Sequence, residues 1–306
     1  MNKKSKAFLV LVAIIICLII GNQIQKPNRE TYKLPSSSLK NKQWNEIFKE
    51  NSKIDSFKIL NTGAVKVPLE GMLNIEKLDK KHGLSEFLWV DVYAFLFHHK
   101  EKGWFMIDTG LDSTFQEKGN IKGIFANSFI KETRQNTGQN ISNLLKKEHV
   151  AINGIFFTHL HGDHSAGLPE IDNSIPKYIG KEETIFNIPF IYSSNHLSRQ
   201  DTLLEIDTTT AVGISPLESV IDIFGDGSLI AINTPGHSLG HLSYVLITTE
   251  GPILLTGDAS HTKYGFENKI EPGWVENTEA AENSLLQLTT FHEMYPQVRV
   301  IYGHDK

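Results

Sequence analysis

From about Ile54 onward the chain is a succession of short apolar runs, each closed by a turn and interrupted by stretches of helical periodicity. Runs dense in β-branched and aromatic residues, bounded by Gly, Asn, Asp or Lys, read as strands. Residues 91–98 and 104–107 are expected to form a hairpin through Lys100-Glu101-Lys102-Gly103, and residues 154–158 a short buried strand. Farther on, 220–224 and 229–232 flank a Gly225-Asp226-Gly227 turn, 243–248 and 253–256 form a second hairpin through Glu250-Gly251, and 298–302 make the last strand. Asn140 is expected to cap a helix with Ile141, Leu144 and Leu145 on one face, and Ala281, Leu285, Leu288 and Phe291 recur on one face of a helix from about 278 to 294. Strands that alternate with helices and end repeatedly in polar residues predict a layered α/β or β-sandwich core with one functional rim. The segment 181–220 has no clear period and is expected to supply loops that shape a pocket.

Two N-terminal stretches fall outside that pattern. Lys3, Lys4 and Lys6 precede an unbroken apolar run over residues 7–20, the layout of an export signal. That run is short for a bilayer span, and Ile19-Ile20-Gly21 is a poor cleavage site, so residues 1–25 are expected to be a signal peptide or a membrane anchor. The protein is then exported, either released outside the cytoplasm or held at the membrane through residues 7–20. Residues 1–30 fused to a reporter that works only outside the cytoplasm should give signal; a silent reporter retained in the cytoplasm removes the expectation. Residues 26–51, with Pro27, Pro35 and Ser36-Ser37-Ser38, read as a linker, which leaves 52–306 as the domain.

Composition narrows the chemistry. A content of 40% hydrophobic residues over 306 positions describes a globular chain with a full core. A net charge of -5, with no long block of Lys or Arg beyond the N-terminus, offers no electrostatic footprint for nucleic acid. Cys17 is the only cysteine and lies inside the apolar run, so the domain has no disulfide, thiolate ligand or thiol nucleophile.

The candidate chemistry sits where strands end. Thr158-His159-Leu160-His161-Gly162-Asp163-His164 brings three imidazoles and a carboxylate together directly after a strand. His237 follows another strand in Thr234-Pro235-Gly236-His237, Asp258 follows a third in Gly257-Asp258, and His304 follows the last in Gly303-His304-Asp305. Neutral imidazole and carboxylate are the ligands that zinc and its neighbours prefer. His159, His161, Asp163, His164, His237, Asp258 and His304 are together enough for two divalent metals that share one bridge, a hydrolytic centre. Asp108, in Asp108-Thr109-Gly110 after the strand 104–107, reads either as a turn cap or as a supporting carboxylate.

Thr-His-Leu-His-Gly-Asp-His, Thr-Pro-Gly-His-Ser-Leu-Gly-His, Leu-Thr-Gly-Asp-Ala-Ser and Tyr-Gly-His-Asp, in that order, resemble the motifs of metallo-β-lactamase-fold hydrolases over roughly residues 92–305. The resemblance implies a four-layer αβ/βα sandwich and two divalent metal ions, with zinc the expected one. It implies that His159, His161 and His237 hold one ion, that Asp163, His164 and His304 hold the other, that Asp258 bridges them, and that Asp108 orients a ligand histidine. His161 differs from the Glu of the iron-dependent oxygen-reducing branch, and Asp258 is a ligand that true β-lactamases lack.

Leu254-Leu255-Thr256-Gly257-Asp258-Ala259-Ser260-His261-Thr262-Lys263 looks most like N-acyl homoserine lactone lactonases, with a looser likeness over residues 67–74. Those lactonases carry a Tyr three residues after the bridging Asp, where this chain has His261. The implied activity is opening of a small-molecule lactone or related ester by a hydroxide bridging the metals. Asp163 is then the proton shuttle and His261 the donor that replaces Tyr. A glyoxalase II-like thioesterase, a phosphotriesterase and a non-catalytic metal-binding member of the fold are the alternatives. His241 fits no ligand slot and reads as structural; His82, His98, His99, His149, His196 and His292 have no supporting context.

Overall fold

The structure is a computed structural model that describes residues 27–305, except 51, 80, 82, 124–128, 186, 189–191, 194, 195, 198 and 199. The N-terminal segment 1–25 and His82 therefore lie outside the described residues. In chain order the strands are β1 (Asn28–Tyr32), β2 (Ile54–Pro68), β3 (Phe87–His99), β4 (Gly103–Ile107), β5 (Glu132–Arg134), β6 (Ile152–Phe156), β7 (Lys177–Gly180), β8 (Asn187–Ile188) and β9 (Tyr192–Ser193). They continue as β10 (Thr202–Ile206), β11 (Val212–Ile214), β12 (Leu217–Asp222), β13 (Leu229–Asn233), β14 (Leu242–Thr248), β15 (Gly251–Leu255) and β16 (Arg299–Ile301). The helices are α1 (Trp44–Ile47), α2 (Leu69–Met72), α3 (Ile141–Glu148), α4 (Gly162–Ser165), α5 (Lys263–Asn268) and α6 (Thr278–Met294).

Successive side chains of a strand point to opposite faces, and here both faces are covered. In β3, Phe95 and Phe97 enter one core while Ala94 and Leu96 enter another. In β14, Tyr244 and Leu246 divide from Val245 and Ile247 in the same way. This is why the strands read as continuous apolar runs rather than as alternating ones.

Among the described residues the main sheet has 14 strands, with the path β1-β10-β7-β6-β4-β3-β2-β14-β13-β12-β11, with β15 and β16 continuing from β14 and with β5 pairing on β2. β2 and β14 meet through the single pair Ile54 and Thr248, so the sheet divides there. Phe95 and Ile107 of one half share a core with Ala231 and Tyr244 of the other, which sets the halves face to face. Ile141 of α3 packs with Leu96 and Met106 on one outer face, and Leu285, Leu288 and Phe291 of α6 pack with Ile230 and Val245 on the other. The result is helix, sheet, sheet and helix: a four-layer αβ/βα sandwich.

Residues 28–50 depart from the linker expectation. β1 pairs in parallel with β10, and Leu39, Trp44 and Ile47 are buried in the outer core beside α6. The Trp44 indole donates to the Ile214 carbonyl at 3.1 Å, and Ser38 bonds Asp222 Oδ2 through its amide at 2.8 Å. Proline and serine suggested a tether, but the three large apolar residues decide, since burying each contributes on the order of 2 kcal/mol. Asn140 takes the N-cap position of α3, yet its side chain does not cap the helix; Nδ2 donates to Glu170 instead. Among the described residues no helix is long and apolar enough to cross a membrane.

Candidate metal centre

β4, β6, β13, β15 and β16 all end at one rim of the sandwich, and the residue types singled out above follow each end. Thr158 and His159 come directly after β6, and His161 is the N-cap of the four-residue helix α4, which carries Asp163 and His164. Phe157, Leu160 and Ala166 are buried, so this loop is anchored on alternating apolar residues while its polar ones turn inward.

Two donor sets converge. The ligand atoms of His159, His161, His237 and Asp258 lie within 4.8 Å of one another, and so do those of Asp163, His164 and His304. Asp258 sits between the sets: its Oδ2 is 3.5 Å from His159 Nε2, 3.4 Å from His237 Nε2 and 3.3 Å from His164 Nε2, and its Oδ1 is 3.6 Å from His304 Nε2. Metal–nitrogen bonds of about 2.1 Å in tetrahedral geometry place neighbouring ligand atoms about 3.4 Å apart. The donor spacing matches that of a coordination shell.

On His164 and His304 a hydrogen bond at Nδ1 leaves Nε2 to face inward. Asp108 accepts from the Thr158 amide and hydroxyl at 2.8 Å each, and also faces His164 Nδ1 at 2.8 Å. His304 Nδ1 donates to the Asp91 carbonyl at 2.8 Å. His159 Nε2, His164 Nε2 and Asp258 Oδ1 are buried with no hydrogen-bond partner, the arrangement that a bound cation satisfies. His161 Nδ1 and His237 Nε2 approach to 2.8 Å, which brings the two loops together in one donor set. Burial, with the neighbouring imidazoles, holds His159 and His237 well below the usual histidine range, so both are neutral donors. Against its own burial, Asp258 is kept well below the usual carboxylate range by the histidines around it.

Small residues make the cradle. A Cβ on Gly303 would fall 2.4 Å from Asp258 Oδ1, and Gly257 adopts φ +52° with His241 Nε2 2.8 Å from where its Cβ would be. His241 is structural in a definite sense: its Nε2 accepts the Asp258 amide at 2.9 Å and its Nδ1 faces the Thr234 hydroxyl at 2.9 Å. Acceptance requires an unprotonated Nε2, and burial pushes the His241 pKa down to about 3.

His261 sits against the shared carboxylate, with Nε2 3.0 Å from Asp258 Oδ2 and Nδ1 3.0 Å from the Met72 carbonyl. Both ring nitrogens thus face protein oxygens, so the open hydrogen-bond donor expected from its likeness to Tyr is already engaged. Asp163 faces His304 Nε2 at 3.4 Å and is the more accessible of the two carboxylates.

These groups form the floor of a cavity of 530 Å³ whose walls include Val65, Val67, Val90, Ile121, Ile130 and Trp274. No described residue between 181 and 220 lines it, contrary to the expectation that this segment shapes the pocket. That segment instead builds β10, β11 and part of β12, while β2, Ile121, Phe129, Ile130 and the 273–276 turn enclose the cavity.

Glu183 carries a role that the sequence did not disclose. Fully buried, it accepts the Leu160 amide at 2.8 Å and the Ser238 hydroxyl at 2.6 Å, and so ties the His159–His161 loop to the His237 loop. Burial raises its carboxyl to about 7. Glu183→Ala strips two buried donors of their acceptor at about 1–3 kcal/mol each. The variant is expected to melt earlier and to bind metal about tenfold to a hundredfold more weakly, whereas Glu183→Gln retains most of both. Thermal melts and chelator competition measure these effects, and wild-type values for the Ala variant would remove the clamp role.

The metallo-beta-lactamase superfamily profile matches residues 88–304. An N-acyl homoserine lactonase from a Bacillus species is 31% identical over 230 residues, 72% of this chain and 84% of that protein. N-acyl homoserine lactonase AttM of Agrobacterium fabrum is 39% identical over 85 residues, and that match spans only 32% of AttM. A solved N-acyl homoserine lactone hydrolase, with the product N-hexanoyl-L-homoserine at its catalytic metal center, superposes with a TM-score of 0.65 at 22% identity, covering 83% of this chain and 94% of that one. The profile spans more than half of the chain and the Bacillus relative is covered over most of its length, and the chain belongs to the metallo-beta-lactamase superfamily.

Proposed function

We propose that this chain is a dinuclear metal-dependent hydrolase that opens a lactone bearing an apolar acyl tail. The observation that carries the reading is the pair of donor sets sharing Asp258 at the floor of an apolar-walled cavity. His159, His161 and His237 would hold one ion, Asp163, His164 and His304 the other, and Asp258 both. Two divalent ions, zinc first among candidates, would supply hydroxide at neutral pH and positive charge against the ester carbonyl.

The chain's own residues do the rest. The valines and isoleucines of the wall, with Trp274, take up an acyl chain and exclude water from the reacting end. Asp163, the member of the second donor set that lines the cavity, can take the proton released as water becomes hydroxide and pass it to the ring oxygen as the acyl C–O bond breaks. The Bacillus relatives, which are N-acyl homoserine lactonases, support a lactone of that kind. Among the described lining residues there is no Lys or Arg, so the cavity offers no countercharge to an anionic thioester.

The test is a panel of an N-acyl lactone, a simple ester, a thioester and a phosphotriester, presented to zinc-loaded protein. The acyl lactone is expected to give the highest kcat/KM, rising with acyl length until the cavity is filled. Turnover of another member of the panel with none of any lactone overturns the reading.

A further inference from the structure

We propose that His261 is itself a metal ligand, adding a nitrogen donor on the side of the second position, where its Nε2 groups with Asp258 and His304. This deepens the dinuclear reading above and rests on it. The Met72 carbonyl can only accept, so Nδ1 at 3.0 Å donates to it, and the Nε2 lone pair is the one the ring can offer to a cation. That lone pair is aimed at Asp258 Oδ2 from 3.0 Å. Two lone-pair atoms meet so closely only with a proton or a cation shared between them.

His304, an expected ligand, is built in the same way. Its Nδ1 donates to a backbone carbonyl, that of Asp91, at 2.8 Å, and its Nε2 turns toward Asp163 and Asp258. A carbonyl behind the ring is the usual means of fixing the tautomer and direction of a ligating histidine. For His261 that carbonyl is itself held in place: Met72 ends α2, and Gly71 lies so tightly under Trp274 that a Cβ there would fall 2.7 Å from the indole. His261 is 5% exposed, and its ring centroid lies 5.5 Å from that of His304 and 5.1 Å from that of His237. The ring is therefore packed among the ligands on a fixed tether, and the place where the resembling lactonases carry Tyr becomes part of the coordination shell.

The experiment uses the full chain loaded with cobalt(II), whose visible spectrum reports donor number and type. Wild type is expected to bind two equivalents. His261→Ala should keep the tighter equivalent unchanged, release the weaker one to a chelator about tenfold to a hundredfold more readily, and alter the visible band of that ion. In wild-type cobalt protein, an exchangeable imidazole proton close to Met72 should also be paramagnetically shifted, a readout that needs no variant. If His261→Ala misfolds by circular dichroism, His261→Gln and the wild-type proton carry the test. Two cobalt equivalents with unchanged affinities and spectrum in the variant, or an unshifted proton in wild type, overturn the assignment whatever happens to activity. A variant that loses kcat while its metal data stay unchanged identifies His261 as a hydrogen-bonding or proton-donating group instead. Wild type that binds no cobalt would overturn the dinuclear reading itself.

Discussion

Asp258→Ala is expected to lower kcat/KM for an acyl lactone by about a thousandfold or more, and to leave at most one metal ion bound. One carboxylate serves both donor sets, with Oδ2 3.3 Å from His164 Nε2 and Oδ1 3.6 Å from His304 Nε2. On the proposed reading its loss would remove a shared ligand and the negative charge that holds two cations close together. Losing a single electrostatic contact in a reaction centre already costs about a hundredfold to a thousandfold.

Asp108 makes the informative contrast, because it touches His164 and the Thr158 backbone but lies in neither donor set. Asp108→Ala should cost about tenfold to a hundredfold, the range for a carboxylate that orients a ligand. Its damage should fall on the second donor set, since His164 is the member of that set it holds. Metal content measured beside kinetics decides between the roles. Asp258→Ala with wild-type kinetics, or with both ions retained, removes the bridge.

The donors were legible because each follows a strand by a few residues and is carried by a local motif. His159, His237, Asp258 and His304 all take their position from a strand end, and Gly257 and Gly303 mark the places where a side chain would intrude on the site. β3 and β14 were legible as strands because their runs are dense in β-branched and aromatic residues, and the cover on both faces is why those runs are continuous. What the sequence hid depends on long-range contact. Glu183 meets Leu160 and Ser238, 23 and 55 positions away, and in Lys181-Glu182-Glu183 it looks like any solvated acidic pair. The cavity walls come from β2, a 15-residue strand whose mix of Lys, Asn and Val shows no single period because it pairs with β3, β5 and β14 along different stretches. Trp44 was hidden by its polar neighbours, and its burial depends on α6, more than 200 residues later.

Removing the metal is expected to abolish hydrolysis and to lower the thermal midpoint by on the order of 10 °C, with both restored by zinc. The donor sets are buried, and several of their inward atoms have no protein partner, so the ion-free fold leaves the desolvation of those atoms uncompensated. An ion that binds only the folded chain stabilises it by about 4 kcal/mol at a thousand times its Kd. For a chain of this size each kcal/mol moves the midpoint by about 2–4 °C, which gives the expected drop. The sign of the pH dependence follows from the donors. Against their burial, the carboxylates beside His164 and His304 hold both above the usual histidine range, so an ion binding there displaces their protons and binds more tightly as pH rises, and the gap between loaded and stripped midpoints should widen between about pH 6 and pH 8. Paired melts with dipicolinate-stripped and zinc-restored protein at several pH values measure this gap. Equal midpoints for the two forms across that range would show that the converging imidazoles and carboxylates hold no ion in the folded protein.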